Sequence, residues 1–274
     1  RIAGPDSSSW IDDEPGPGRS PIESHMSTPG TNLNAPRLSV VQLVPALESG
    51  GAERSTLEIG RALVAAGHES IVVSAGGRLV ERLVAEGSRH IEMSIGRKSL
   101  KTLALVARLR AVIDETGANI VHARSRLPAW LGWRALNGLN GPRPRFVTTV
   151  HGLNTPGWYS GIMTRGERVI CVSNLVRDHV VRHYRSVNPS KLILIPRGVD
   201  AEEFPFGYQP EDEWRRRFLA EFPMLDGAPL LTLPARGTRL KGHAFALELI
   251  ADLKARGVDA RLLLLGVREA GRED

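Results

Sequence analysis

The tetrapeptide Gly50-Gly51-Ala52-Glu53 stands between an apolar run, Leu38 to Val44, and a helical pattern that follows it. At such a hand-over, backbone amides and the positive end of a helix can meet an anion, and side chains must not obstruct it. A plain tight turn, with Glu53 favoured by the helix N-terminus, accounts for the same residues. His151-Gly152 ends a second apolar run, Arg145 to Val150. The carboxyl ends of strands rim the ligand crevice of an open parallel sheet, so His151 could donate a hydrogen bond to a substrate hydroxyl or move a proton. Gly152 beside it allows close backbone approach. A half-exposed histidine bonded to a loop carbonyl is the alternative. His122 ends another strand-like run in the same way, although Arg124 and Arg126 beside it read equally as a solvated rim. Further on, Arg236 and Lys241 flank the loop Arg236-Gly237-Thr238-Arg239-Leu240-Lys241-Gly242. Two fixed cations next to a helix N-terminus suit a diphosphate better than a single carboxylate, and a basic surface loop is the competing reading.

The elements that must position these residues follow from hydrophobic periodicity. From Arg37 onward, short apolar runs alternate with helical patterns, the signature of βα units and a mostly parallel sheet, so the fold class is α/β. Strands are predicted at Leu38–Val44, Glu69–Ser74, Asn119–His122, Arg145–Val150, Arg168–Val172 and Lys191–Ile195. Helices are predicted between them: one after Gly50-Gly51 with Leu57, Leu63 and Val64 on its apolar side, a short one over Arg78–Glu86, and Lys98–Glu115, Leu127–Leu139 and Asn174–Tyr184. Residues 36–199 make a first, Rossmann-like domain and residues 200–228 a connection rich in proline and aromatics. Residues 229–274 hold a strand at Pro229–Leu233, a helix over Gly242–Arg256 and a strand at Ala260–Leu265. That is one βαβ unit, less than a doubly wound domain requires, so the sequence reads as the incomplete beginning of a second one.

Composition narrows the class. Hydrophobic residues at 42% and charged residues at 24% fit a folded globular protein and oppose wholesale disorder. Residues 1–35 are the exception: they are crowded with Pro, Gly, Ser, Asp and Asn, and they read as a disordered tail or leader, with Met26 as a candidate native start. The single cysteine, Cys171, excludes an intramolecular disulfide framework and a zinc site built on several thiolates, which points to a reducing cytoplasm. A net charge of +6 suits anionic partners. The tail carries two basic against five acidic residues, so the basic character belongs to the folded part. An aromatic share of 5% and the lack of a groove-binding motif oppose a nucleic-acid reader. Neither Gly-x-Gly-x-x-Gly nor the Walker A lysine occurs at the strand-to-helix turns, which removes the main support for a dehydrogenase or an ATPase. Arg97, Lys98, Lys101, Arg108 and Arg110 lie along a helix with an apolar stripe, a face that could rest on anionic lipid at the inner side of a membrane, or simply be solvated.

The ordered array Gly50-Gly51-Ala52-Glu53, Val121-His122, Val150-His151-Gly152, Ile170-Cys171-Val172-Ser173, Ile195-Pro196-Arg197-Gly198-Val199-Asp200 and Arg236 through Lys241-Gly242 resembles the retaining glycosyltransferases of family 4. The resemblance runs from about Leu38 to Gly266 and lies in the order of weak motifs. It implies the GT-B fold: an acceptor-side Rossmann-like domain, followed here by the start of a nucleotide-sugar-binding one. By the same resemblance the Gly50-Gly51 turn lies near the donor diphosphate and the acceptor, and His151 contacts the donor sugar. Arg236 and Lys241 bind the diphosphate leaving group, and Glu53 and His122 stand on the acceptor side. Three departures are visible: the family usually has asparagine where Arg197 stands and a further glycine soon after Gly266, where this chain reads Val267-Arg268-Glu269, and its paired glutamates would lie beyond Asp274.

What the resemblance implies is transfer of a sugar from a nucleotide-diphosphate donor to an acceptor hydroxyl with retention, in the synthesis of cell-envelope glycans such as lipopolysaccharide or glycolipid. No cofactor and no metal is expected; the nucleotide sugar is a substrate, and the acceptor is a glycan or glycolipid. A non-catalytic sugar- or nucleotide-binding module of the same fold, and a nucleotide-sugar epimerase, are the alternatives.

Overall fold

A computed structural model describes residues 36–97, 101–139 and 141–266. The tail assigned to residues 1–35 and the helix start at Lys98 lie outside the described residues. The chain divides at Gly198/Val199 into two compact units.

In the first unit the elements run β1 (Ser39–Leu43), α1 (Gly51–Ala65), β2 (Glu69–Ser74), α2 (Val80–Ala85), β3 (Arg89–Glu92) and α3 (Lys101–Glu115). They continue as β4 (Ile120–Ala123), α4 (Arg126–Leu136), β5 (Arg145–Val150), β6 (Arg168–Cys171), α5 (Asn174–His183) and β7 (Leu192–Leu194). All seven strands pair in parallel, in the order β3-β2-β1-β4-β5-β6-β7. A parallel sheet needs helices on both faces, which is why β1 and most of β2 are buried along their length and read as continuous apolar runs. Val41, Leu43, Ile71, Val73, Val121 and Phe146 face a large core shared with α3, α4 and α5. Val72 faces a smaller one with Leu57 of α1 and Leu83 of α2.

Several expectations shift. The short edge strand β3 was not read from the sequence; its His90 and Ile91 are only half-buried and its Arg89 and Glu92 are exposed, so it has no apolar run. Leu63 and Val64 of α1 are half-buried, and the helix buries Thr56, Leu57 and Gly60 instead. Arg110, expected on a free basic face of α3, folds back and donates from Nε to the carbonyl of Ala135, whereas Arg108 is exposed. Cys171 is buried in the large core as a free thiol.

The second unit contains α6 (Asp212–Glu221), β8 (Leu230–Pro234), α7 (His243–Ala255) and β9 (Arg261–Leu265), with β8 and β9 paired in parallel. Among the described residues α7 buries no side chain, and Phe245 is 77% exposed. No described helix is long and apolar enough to cross a membrane.

Candidate active site

Strand order reverses between β1 and β4, and in an open parallel sheet the crevice at such a switch point, at the carboxyl ends of the strands, is where ligands bind. The loop after β1 leads to Gly50 and Gly51, the residues after β4 include Arg124, and β5 next to it ends at Val150, directly before His151. The first unit thus brings five of the residues singled out in the sequence, Gly50, Gly51, Glu53, His122 and His151, to one end of its sheet.

Gly50 is the N-cap of α1 and Gly51 its first helical residue. Gly50 has φ −168°, extended backbone open to any residue, and Gly51 is helical, so neither position requires glycine for its backbone. What the missing side chains leave is room. A β-carbon on Gly50 would collide with the Glu53 carboxylate, and one on Gly51 with Nη1 of Arg197. Both obstructions are the far ends of flexible side chains. The Gly50 cap also offers no side-chain acceptor to the first-turn amides, unlike Ser173, which accepts from the Val176 amide at the start of α5.

Beneath this turn lies a polar row. Gln42 and His122 are ladder neighbours on β1 and β4, and Val147 on β5 continues the row, so Thr149, two residues on, shares its face. Gln42 is fully buried; its Nε2 donates to the Thr56 carbonyl at 3.1 Å. His122 is buried inside β4, with Nε2 2.7 Å from Oγ1 of Thr149. Burial first, then repulsion from Arg124 and His151, pushes the His122 imidazolium down to about 3, so the ring is neutral at neutral pH. The sequence placed His122 at a rim; the structure places it under the rim.

Arg124, expected on a solvated rim, is 4% exposed. It donates from Nη1 to Oε1 of Gln42 at 3.1 Å and from Nη2 to Oγ of Ser55 on α1, while its Nε is buried without a partner. Burial and the nearby Arg197 lower its pKa to about 10, opposed by Glu58 and Glu53, so it keeps its charge at neutral pH. Gln42 and Ser55 were not singled out in the sequence, and Arg124 was read only as part of a solvated rim. The available signal was Gln42, an amide in the middle of an otherwise apolar central strand, which has to find buried partners.

His151 is half-buried. Its Nδ1 accepts from Nη2 of Arg197 at 2.7 Å, which leaves the ring proton on Nε2; that nitrogen is buried without a partner. Burial, followed by the charges of Arg124 and Arg197, holds the imidazolium down to about 3. The ring is therefore a neutral hydrogen-bond donor whose N–H has no acceptor among the described residues. It can donate to a hydroxyl or ether oxygen and cannot serve as a general acid near neutral pH.

In the second unit Arg236 and Lys241 are exposed on the loop that follows β8. Arg239 to Lys241 form a 3-10 turn, and Gly242, with φ +74°, links that turn to α7 in the left-handed region that favours glycine. The loop thus presents three exposed cations, Arg236, Arg239 and Lys241, at a strand's carboxyl end, immediately before a helix. Among the described residues no group of His, Cys, Asp or Glu is placed to hold a metal ion.

The sequence profile described as Glycosyltransferase Family 4 matches residues 49–203, from the glycine turn to just past Arg197. EpsF of Bacillus subtilis (strain 168) is 24% identical over 264 residues, 85% of this chain and 63% of EpsF. A glycosyltransferase from Rickettsia africae ESF-5, known from its crystal structure, is 33% identical, with a TM-score of 0.71 over 87% of this chain and 62% of its own. Anabaena HepE, solved in complex with UDP and glucose, shares the fold at 15% identity, with a TM-score of 0.67 over 83% of this chain and 61% of its own. The chain therefore spans a little over 60% of the length of the relatives it matches. Its fold is α/β and GT-B-like, a Rossmann-like unit followed by a βαβ unit of a second one.

Proposed function

The chain belongs to glycosyltransferase family 4, and on that footing we propose that the full-length protein moves a sugar from a nucleotide-diphosphate donor to an acceptor hydroxyl with retention at the anomeric carbon. The observation that carries this reading is His151. A neutral imidazole, turned by Arg197 so that its Nε2–H faces no acceptor among the described residues, is suited to a hydroxyl of the transferred sugar. Gly50 and Gly51 support it, since their backbone needs no glycine and their missing side chains admit the flexible ends of Glu53 and Arg197 at the amino end of α1.

The barrier to glycosyl transfer is charge separation: the sugar becomes oxocarbenium-like while negative charge gathers on the departing diphosphate. Arg236 and Lys241 stabilise that anion electrostatically, and they do so most as the bond breaks. His151 orients the sugar by a hydrogen bond that carries no net charge, so it does not repel the cationic ring. First-turn amides of α1 add positive potential near the reacting groups. The acceptor is a glycan or glycolipid of the cell envelope, reached from the cytoplasmic side, and the exposed Arg97 and Arg108 give peripheral contact with an anionic membrane.

The test is incubation of the full-length protein with a panel of nucleotide sugars and envelope-type acceptors. It reads nucleoside diphosphate release and the anomeric configuration of the product by NMR. Release coupled to a product of retained configuration supports the proposal. Binding without release makes the protein a binding module, an isomerised donor makes it an epimerase, and an inverted product overturns the retaining mechanism.

A further inference from the structure

Two guanidinium groups at the switch point, Arg124 and Arg197, have no carboxylate in contact among the described residues. Arg124, almost wholly buried, spends its hydrogen bonds on the neutral Gln42 and Ser55, and its Nε on nothing. Arg197 donates to the neutral His151. Glu53 and Glu58 act on Arg124 only at longer range. A buried cation without a contacting anion is costly, and proteins keep such groups where a ligand supplies the charge. The same place holds the amino end of α1, whose cap residue, Gly50, has no side chain to satisfy the first-turn amides, and where Gly51 has no β-carbon to exclude Arg197. One exposed forked cation, Arg197, a buried fixed charge beside it, Arg124, and a helix amino terminus form a phosphoryl-binding set.

We propose that Arg197, with the buried fixed charge of Arg124 behind it, binds a phosphoryl group carried by the acceptor, so that the acceptor is a phosphorylated sugar or lipid and not a neutral glycan. The assignment to the acceptor rests on the glycosyltransferase reading, in which Arg236 and Lys241 already match the donor diphosphate; the first unit's arginines are then left for a different anion. Arg124 is pinned from two sides, by β1 through Gln42 and by α1 through Ser55, and supplies a fixed charge. Arg197 is exposed, and its guanidinium can leave His151 for the phosphate.

The test is titration of this chain with inorganic phosphate and glycerol 3-phosphate, glycerol being the neutral control, followed by calorimetry and by 15N-resolved NMR of the arginine Nε–H groups. Phosphate and glycerol 3-phosphate bind saturably and shift both arginine signals, and glycerol does not. Arg197→Gln, at an exposed position that the fold does not need, weakens binding by about tenfold or more. Arg124→Lys keeps the charge but loses the fork to Gln42 and Ser55, and weakens binding likewise. Arg182→Gln, exposed on α5, leaves binding unchanged. Absence of saturable binding, unchanged binding in Arg197→Gln, or an equal loss in Arg182→Gln overturns the site. The source is settled on the full-length protein: glycerol 3-phosphate still binds under saturating UDP if the phosphate belongs to the acceptor, and its displacement by UDP returns the site to the donor diphosphate. Because no step requires turnover, a protein that transfers no sugar contradicts the proposed function without deciding the phosphoryl site, and a protein that transfers sugar but binds no phosphate contradicts the site alone.

Discussion

Arg197 donates to Nδ1 of His151 across 2.7 Å, and in doing so it fixes which ring nitrogen of His151 carries the proton. The two residues come from the ends of different strands, β5 and β7, which are separated in the sheet by β6. One side chain thus sets the tautomer of another, and the same guanidinium covers the glycine turn after β1. Three segments far apart in sequence meet through it.

That arrangement separates a local structural role for Gly51 from a ligand role. Gly51→Ala places a better helix former at a helical position, so unfolding free energy in urea changes by less than about 1 kcal/mol, and in the stabilising direction. The new β-carbon displaces Arg197 and narrows the approach to the α1 amides, so turnover of the full-length protein falls by about tenfold or more, as misplacement at a reacting centre does. Equal activity with altered stability would mean that the turn serves only the fold.

The two neutral histidines make stability depend on pH. His122 and His151 titrate at about 3 when folded, against an ordinary 6.5. Above pH 6.5 both states are neutral and no difference arises. As pH falls below 6.5 the unfolded chain takes up protons that the folded one refuses, so stability drops toward pH 3, by up to about 1.4 kcal/mol per pH unit for each histidine. Urea unfolding at pH 8, 6.5 and 5 measures this. His122→Gln, which keeps a partner for Thr149, flattens the slope between pH 6.5 and 5, and an unchanged slope would show that the buried ring does not titrate low.

Much of the fold was legible because its signals are local. The β2 and β5 boundaries at Glu69–Ser74 and Arg145–Val150 were read to the residue from apolar, β-branched runs. The edge strand β3, mostly exposed and carrying Arg89, His90 and Glu92, gave no such run. Candidate site residues were visible where a strand end met glycine or histidine, as at Gly50-Gly51 and His151. Arg124 and Arg197 were not, since a basic residue after a strand looks the same whether water or Gln42 surrounds it. Only the sheet order, which sets β1 beside β4, buries Arg124, and that order is a long-range property. His122 was displaced for the same reason: β4 extends one residue past it to Ala123, and Thr149 on β5 closes over its ring.

In the second unit, Arg236 and Lys241 are assigned to charge that grows as the donor bond breaks, so alanine at either position lowers kcat more than it raises the donor Kd, by about a hundredfold or more in rate. Arg239, exposed in the same turn, is the internal control and stays near wild type. Steady-state kinetics on the full-length variants, with folding followed by circular dichroism, make the comparison. A loss at Arg239 equal to the other two would reduce the loop to diffuse positive charge.

The most direct test of the account is the hydrogen-bond donor at His151. In the full-length protein, His151→Ala removes the Nε2–H and leaves Arg197 in place, and His151→Gln restores an N–H donor without a titratable ring. The account predicts that turnover with the best nucleotide sugar falls by about a hundredfold in the alanine variant, is partly recovered in the glutamine variant, and keeps a flat pH profile from 6 to 8 in the wild type. Turnover unaffected by His151→Ala, or lost equally in both variants with a wild-type pH profile that breaks near 6.5, would contradict it, because His151 would then be either idle or a proton-transfer group.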